Sequence, residues 1–90
     1  INIYTMYALR FNYKDSLEPI LCDTHTFTAG VLLYLRGIHT VQVDSTTLEF
    51  ESARERTFAQ LLLCDHSVYT VQALDDGDNT FDASNPISNT

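Results

Sequence analysis

Two short clusters hold the side chains best suited to chemistry, Cys22-Asp23-Thr24-His25 and Cys64-Asp65-His66. Together they offer two thiols and two imidazoles, the donor set of a tetrahedral zinc site. The same residues could form a disulfide or redox pair, or a Cys-His nucleophile with an orienting aspartate. The paired spacings of zinc modules are absent, Cys-x-His being unusually tight, and no glycine-rich turn stands near either cysteine to build an oxyanion hole. Reduced thiols and surface histidines explain these residues with fewer demands, so we expect no cofactor, no metal and no catalysis. Cys22, His25, Cys64 and His66 remain the ligand set of an alternative reading, a zinc- or redox-responsive regulatory domain.

Two other features invite chemistry and yield less. The run Asp75-Asp76-Gly77-Asp78-Asn79 resembles a calcium loop, but counting from Asp76 the sixth position is Phe81 rather than glycine, and no bidentate glutamate follows. A solvated acidic turn is the simpler reading. His39 follows Arg36-Gly37, which looks like a helix end, and shares its parity with Val41 and Val43, so it is expected inward as a partly buried structural histidine.

The elements that would position these residues follow from periodicity. Residues 2–13 alternate, with Ile3, Thr5, Tyr7, Leu9 and Phe11 toward the core, and predict a strand. Lys14 to Asp23 contains Pro19 and reads as a connection. Phe27 to Arg36 contains the apolar run Val31–Leu35, which fits a buried helix or a buried strand, and helix is favoured: Thr24 and Thr26 supply N-cap oxygens, the leucines favour helix, and Gly37 offers a left-handed cap. Gly30 inside it costs up to about 1 kcal/mol relative to alanine. Ile38 to Asp44 and Thr47 to Glu51 predict two strands joined by a hairpin at Asp44-Ser45-Thr46, with Leu48 and Phe50 inward. Ser52-Ala53-Arg54-Glu55 is a capping-box signature that opens a helix running through Cys64, whose apolar side is read as Phe58, Ala59, Leu61, Leu62 and Leu63. Ser67 to Leu74 is the last strand.

The order strand, helix, strand, strand, helix, strand predicts an α+β fold, the ferredoxin-like βαββαβ plait with a four-stranded antiparallel sheet and two helices on one face. Residues 1–74 form the expected domain and 75–90 an acidic, polar C-terminal tail. At ninety residues the chain has room for one domain, and its 44% apolar content supports a core. No apolar run approaches the roughly 18 residues of a membrane span.

Twelve acidic against five basic residues leave a net charge of -7, with Asp75, Asp76, Asp78 and Asp82 carrying four of those charges. Such a balance disfavours nucleic acid and anionic membranes as direct partners. On the open sheet face Tyr4, Met6 and Ala8 would project from one central strand and Glu49 and Glu51 from the other, with Val68 and Leu74 as further apolar candidates. Glutamates there repel phosphate. No leader is apparent at Ile1-Asn2-Ile3 and two cysteines are too few for a disulfide framework, so the expected compartment is the cytoplasm. These readings converge on a non-enzymatic, acidic protein-binding module, an inhibitor or adaptor of the kind phages direct against nucleic-acid-handling machines. It would engage a basic protein surface, or a second copy as a homodimer, through Tyr4, Met6, Glu49, Glu51, Asp75, Asp76 and Asp78.

Overall fold

In the computed structural model, residues 6–74 are described, so Tyr4, the calcium-like run and the acidic tail lie outside the described residues. The order is β1 (Tyr7–Tyr13), α1 (Pro19–Leu35), β2 (Thr40–Asp44), β3 (Thr47–Phe50), α2 (Ala53–Leu63) and β4 (Tyr69–Leu74). All neighbouring strands are antiparallel in the sheet order β2-β3-β1-β4, the arrangement of the ferredoxin-like plait.

Alternation on the central strands sets the two faces of the sheet. Leu9 and Phe11 of β1, Leu48 and Phe50 of β3 and Tyr69 of β4 point to one side, where they meet Ala29 and Leu33 of α1 and Ala59 and Leu63 of α2 in one core. Both helices therefore cover the same face. The opposite face carries the cross-strand pairs Ala8 with Glu49, Arg10 with Thr47, Arg10 with Gln72 and Asn12 with Thr70. It is largely polar, and Asn12 Nδ2 donates to Gln72 Oε1 at 3.2 Å across it. Val68, expected on this face, packs against the core instead.

The first helix begins eight residues earlier than its sequence suggests. Pro19 occupies its first position, where the missing N–H costs nothing and the fixed φ already suits a helix, so the proline starts α1 rather than interrupting a connection. The N-cap is Glu18, with no side-chain cap. Thr24 and Thr28, once inside the helix, turn their hydroxyls back onto the carbonyls of Ile20 and Thr24 at 2.9 and 2.8 Å. At the other end Gly37 adopts φ 86°, Ile38 N–H reaches Leu33 O and Gly37 N–H reaches Tyr34 O, a Schellman closure sealed by the burial of Ile38 and Leu33 together.

Strand β2 departs from the expected parity. Thr40 pairs with Phe50 and Gln42 with Leu48, so these two face the helices while Val41, opposite Glu49, lies on the open face. The register shifts between Gln42 and Asp44, which leaves Val43 at the irregularity, and both valines are about half exposed. His39 is likewise exposed rather than inward. The hairpin closes over Ser45-Thr46, where Asp44 Oδ1 accepts from the Thr46 N–H at 2.9 Å. That backbone donor, with the Thr47 side chain, holds the Asp44 carboxyl below its usual range.

The second helix starts as its capping signature requires, with Ser52 Oγ accepting from the Glu55 N–H at 3.1 Å. Its buried side is Arg56, Ala59 and Leu63. Phe58, Leu61 and Leu62, expected inward, are exposed. Arg56 takes the inward place instead, because its Nη1 can donate to Ala8 O at 3.2 Å and Leu74 O at 2.9 Å while the guanidinium sits 5.4 Å from the centre of the Tyr7 ring.

Candidate protein-interaction surface

Helix α1 buries only Thr26, Ala29 and Leu33 among its seventeen residues. At 100° per residue these define one narrow stripe, and the apolar side chains outside it have no sheet to cover them. Ile20, Leu21, Phe27, Val31, Leu32, Tyr34 and Leu35 are exposed, reaching 69% at Ile20 and 75% at Leu35. Phe58, Leu61 and Leu62 extend the pattern onto α2, with Leu61 exposed to 71%. Asp23 is the single charged residue of α1, and Thr57–Leu63 of α2 carries no charge. The layer that covers the core is thus apolar on its inner and outer sides alike. A helix that is hydrophobic all round is normally buried.

Beside this layer a groove of ≈220 Å³ runs between α1 and the β2 edge, lined by Phe27, Gly30, Val31 and Tyr34 from the helix and by His39, Thr40, Gln42 and Leu48 from the sheet. Gly30 lines it where helix and sheet approach closely: a Cβ there would lie in ordinary contact, 3.4 Å from Thr40 Oγ1 and 3.7 Å from a Leu48 methyl carbon. The sequence spaces Phe27, Val31, Tyr34 and Leu35 at helical intervals, which was legible as an apolar run but gave no sign that most of it faces away from the sheet.

The pose of α1 over the sheet is held by buried hydroxyls. Thr26, fully buried, places Oγ1 2.8 Å from Ser45 O and 2.5 Å from the Tyr13 hydroxyl, which is itself 2.9 Å from Cys22 O. Burial, opposed by the Thr26 hydrogen bond and reinforced by the nearby Cys22 and Asp23, raises the Tyr13 phenol above its usual value. Tyr69, whose ring meets Phe11 at 4.8 Å and Tyr13 at 5.4 Å, is pushed up to about 12 by burial and then by Tyr13.

The two Cys/His clusters do arrive at one end of the molecule, and the His25 and His66 rings lie 6.4 Å apart. The cysteines do not join them. Cys22, half-buried, turns its thiol toward Leu17 O at 4.0 Å, and Cys64, exposed, toward Leu61 O at 3.2 Å. His66 stacks on Tyr69 at 4.0 Å and spends Nδ1 on the Val68 N–H at 3.1 Å. Among the described residues no three His, Cys, Asp or Glu side chains converge on a position that could hold a metal ion. The four-ligand set of the zinc reading is therefore split into a histidine pair and two separate thiols.

Of the residues expected to meet a partner, Met6 and Glu49 are half-buried and Glu51 is exposed. Met6 precedes β1 and Glu49 lies on the open face beside Ala8 and Val41. Tyr4, Asp75, Asp76 and Asp78 lie outside the described residues. No described helix is long and apolar enough to cross a membrane.

No family model matches the chain, and no curated protein matches it. Among solved structures, the structured domain of Drosophila melanogaster Boca is similar in fold, with a TM-score of 0.70 at 15% sequence identity over 78% of this chain and 96% of that one. At that identity the likeness concerns the arrangement of strands and helices alone.

Proposed function

We propose that this domain is a non-enzymatic protein-binding module, an inhibitor or adaptor, and that its main contact surface is the outer side of the helical layer rather than the open sheet. The reading rests on one observation: ten large apolar side chains of α1 and α2 are exposed on a layer almost without charge. At ordinary residue areas the seven on α1 alone, which lie on the side of that helix away from its buried stripe, expose roughly 800 Å², against the 300 to 600 Å² of the largest apolar patch on a typical monomer. Water contact with a surface of that size is costly, and covering it by another protein recovers the cost.

Charge plays the secondary part. The net charge of -7 favours a partner with a basic surface, and Glu49, Glu51, Asp75, Asp76 and Asp78 would steer its approach without supplying most of the affinity. With Cys22 and Cys64 as thiols, a reducing compartment such as the cytoplasm suits the chain. The test compares two variants of the full chain in a capture experiment. Leu35→Glu with Leu61→Glu is expected to abolish capture by speeding dissociation. Glu49→Gln with Glu51→Gln is expected to slow association and lessen its salt dependence while leaving dissociation unchanged. Capture that survives the leucine changes and fails with the glutamate changes would move the site to the sheet and overturn the proposal.

A further inference from the structure

Resting on the protein-binding reading above, we infer that the occupant of the helical layer is a second copy of this chain, with α1 packed antiparallel against α1 of its partner across a two-fold axis. Three observations favour this occupant.

The first is area. A standard interface takes about 800 Å² from each partner, and the exposed apolar side chains of α1 supply most of that before α2 is counted. The second is electrical. A partner with a strongly basic face would find its acidic complement outside this layer, because α1 contributes Asp23 alone and the charged residues of α2 are confined to its first turn. Two identical acidic chains, by contrast, can meet at a neutral apolar surface while their like charges stay in solvent. The third is shape. Seventeen helical residues span about 25 Å, and Ile20, Thr24, Phe27, Thr28, Val31 and Leu35 form a ridge at helical spacing in which threonines alternate with larger side chains. A two-fold axis perpendicular to α1 at Phe27-Thr28 sets Ile20 of one copy near Leu35 of the other, the self-complementary pattern that a closed dimer requires.

Residues 75–90 carry four aspartates with Phe81 and Ile87 as their large apolar side chains, and residues 1–5 add Ile1, Ile3 and Tyr4, fewer than the ten exposed on the helices.

Sedimentation equilibrium on the full chain, from about 1 to 500 µM and at about 0.1 and 1 M salt, tests the inference. Expected is a species of twice 10.2 kDa whose dissociation constant is unchanged or lowered by salt. Val31→Glu with Leu35→Glu is expected to weaken association at least 100-fold while the circular dichroism stays that of a folded monomer. Should that variant not fold, Ile20→Ser with Tyr34→Ser, at two outermost positions, is expected to weaken it at least 10-fold. A wild-type chain that stays at 10.2 kDa throughout overturns the inference, as does a dimer unaffected by these substitutions. A monomer that binds an apolar dye only after Phe81→Ser with Ile87→Ser shows that the tail covers the face, and also overturns it. A monomer that still captures another protein through Leu35 and Leu61 refutes the second copy and leaves the protein-binding reading standing. A monomer that captures nothing refutes both.

Discussion

Replacing Thr26 by valine should loosen the attachment of α1 to the β2–β3 hairpin without changing the shape of the core. Valine has the volume of threonine, so the perturbation is the loss of one hydroxyl at a fully buried position. Two hydroxyl protons, those of Thr26 and Tyr13, serve three contacts: Ser45 O, Cys22 O and the hydroxyl pair itself. Without Thr26 the Tyr13 proton goes wholly to Cys22 O, and Ser45 O loses its donor from the helix. One net hydrogen bond contributes about 1 kcal/mol and a partly buried carbonyl without a partner costs roughly 1 more, so Thr26→Val should destabilise by about 2 kcal/mol. At 4 to 8 °C per kcal/mol for a domain of this size, Tm falls by roughly 8 to 16 °C. Tyr13→Phe leaves Thr26 its bond to Ser45 O and should cost about 1 kcal/mol. Because the two hydroxyls share protons, the double variant should cost about 2 kcal/mol, less than the sum of the singles. Urea unfolding of all four proteins at one fixed chain concentration gives the cycle. Strict additivity, or a Thr26→Val change under about 0.5 kcal/mol, would show that these hydroxyls do not set the pose of α1.

Other consequences are independent of that network. Gly30→Ala should stabilise by about 0.5 to 1 kcal/mol, since its Cβ meets Thr40 and Leu48 at 3.4 Å or beyond and the helix gains a better former, whereas Gly37→Ala at φ 86° should cost about 1 kcal/mol; thermal melts read both. Arg56→Met keeps an apolar stem but strips the donors from Ala8 O and Leu74 O, and denaturant unfolding should register a loss of about 2 to 3 kcal/mol. Toward alkaline pH the unfolded chain releases the Tyr69 proton near 10 while the folded chain holds it to about 12, so stability falls across that window and Tyr69→Phe flattens the fall. Asp44 has the opposite sense: its lowered folded value adds stability above 3.8 that is lost as pH drops through the folded value, and Asp44→Asn removes that part of the acid limb.

Much of the architecture was legible because several residues fit one role only. Ser52 and Glu55 mark the start of α2, Gly37 marks the end of α1, and the Leu9-Phe11 and Leu48-Phe50 alternations set the core face of the two central strands. Pro19 misled because a helix start and a break in a loop use the same residue. The parity of β2 was not readable either. Its valines look inward by hydropathy, yet the Thr40 and Gln42 side chains line the groove beside Gly30, and pairing with β3 decides the matter. The exposure of the helices was not readable in the sequence, for a physical reason that bears on function. Apolar residues at helical spacing are read as core, and on that rule Phe58, Leu61 and Leu62 are expected inward. The core has room only for Ala29, Leu33, Ala59 and Leu63 from the helices, together with Thr26 and Arg56, and the surplus lies outside. That surplus, invisible as such in the sequence, is the basis of the functional proposal.

The most direct test of a helical contact surface is the solvent accessibility of individual methyl groups, read by NMR with a soluble paramagnetic probe at low and high chain concentration. The account predicts that the methyls of Ile20, Val31, Leu35 and Leu61 become shielded as concentration rises, while those of Val41 and Val43 on the open sheet stay accessible. Shielding of the two valines with the helical methyls left open would contradict it.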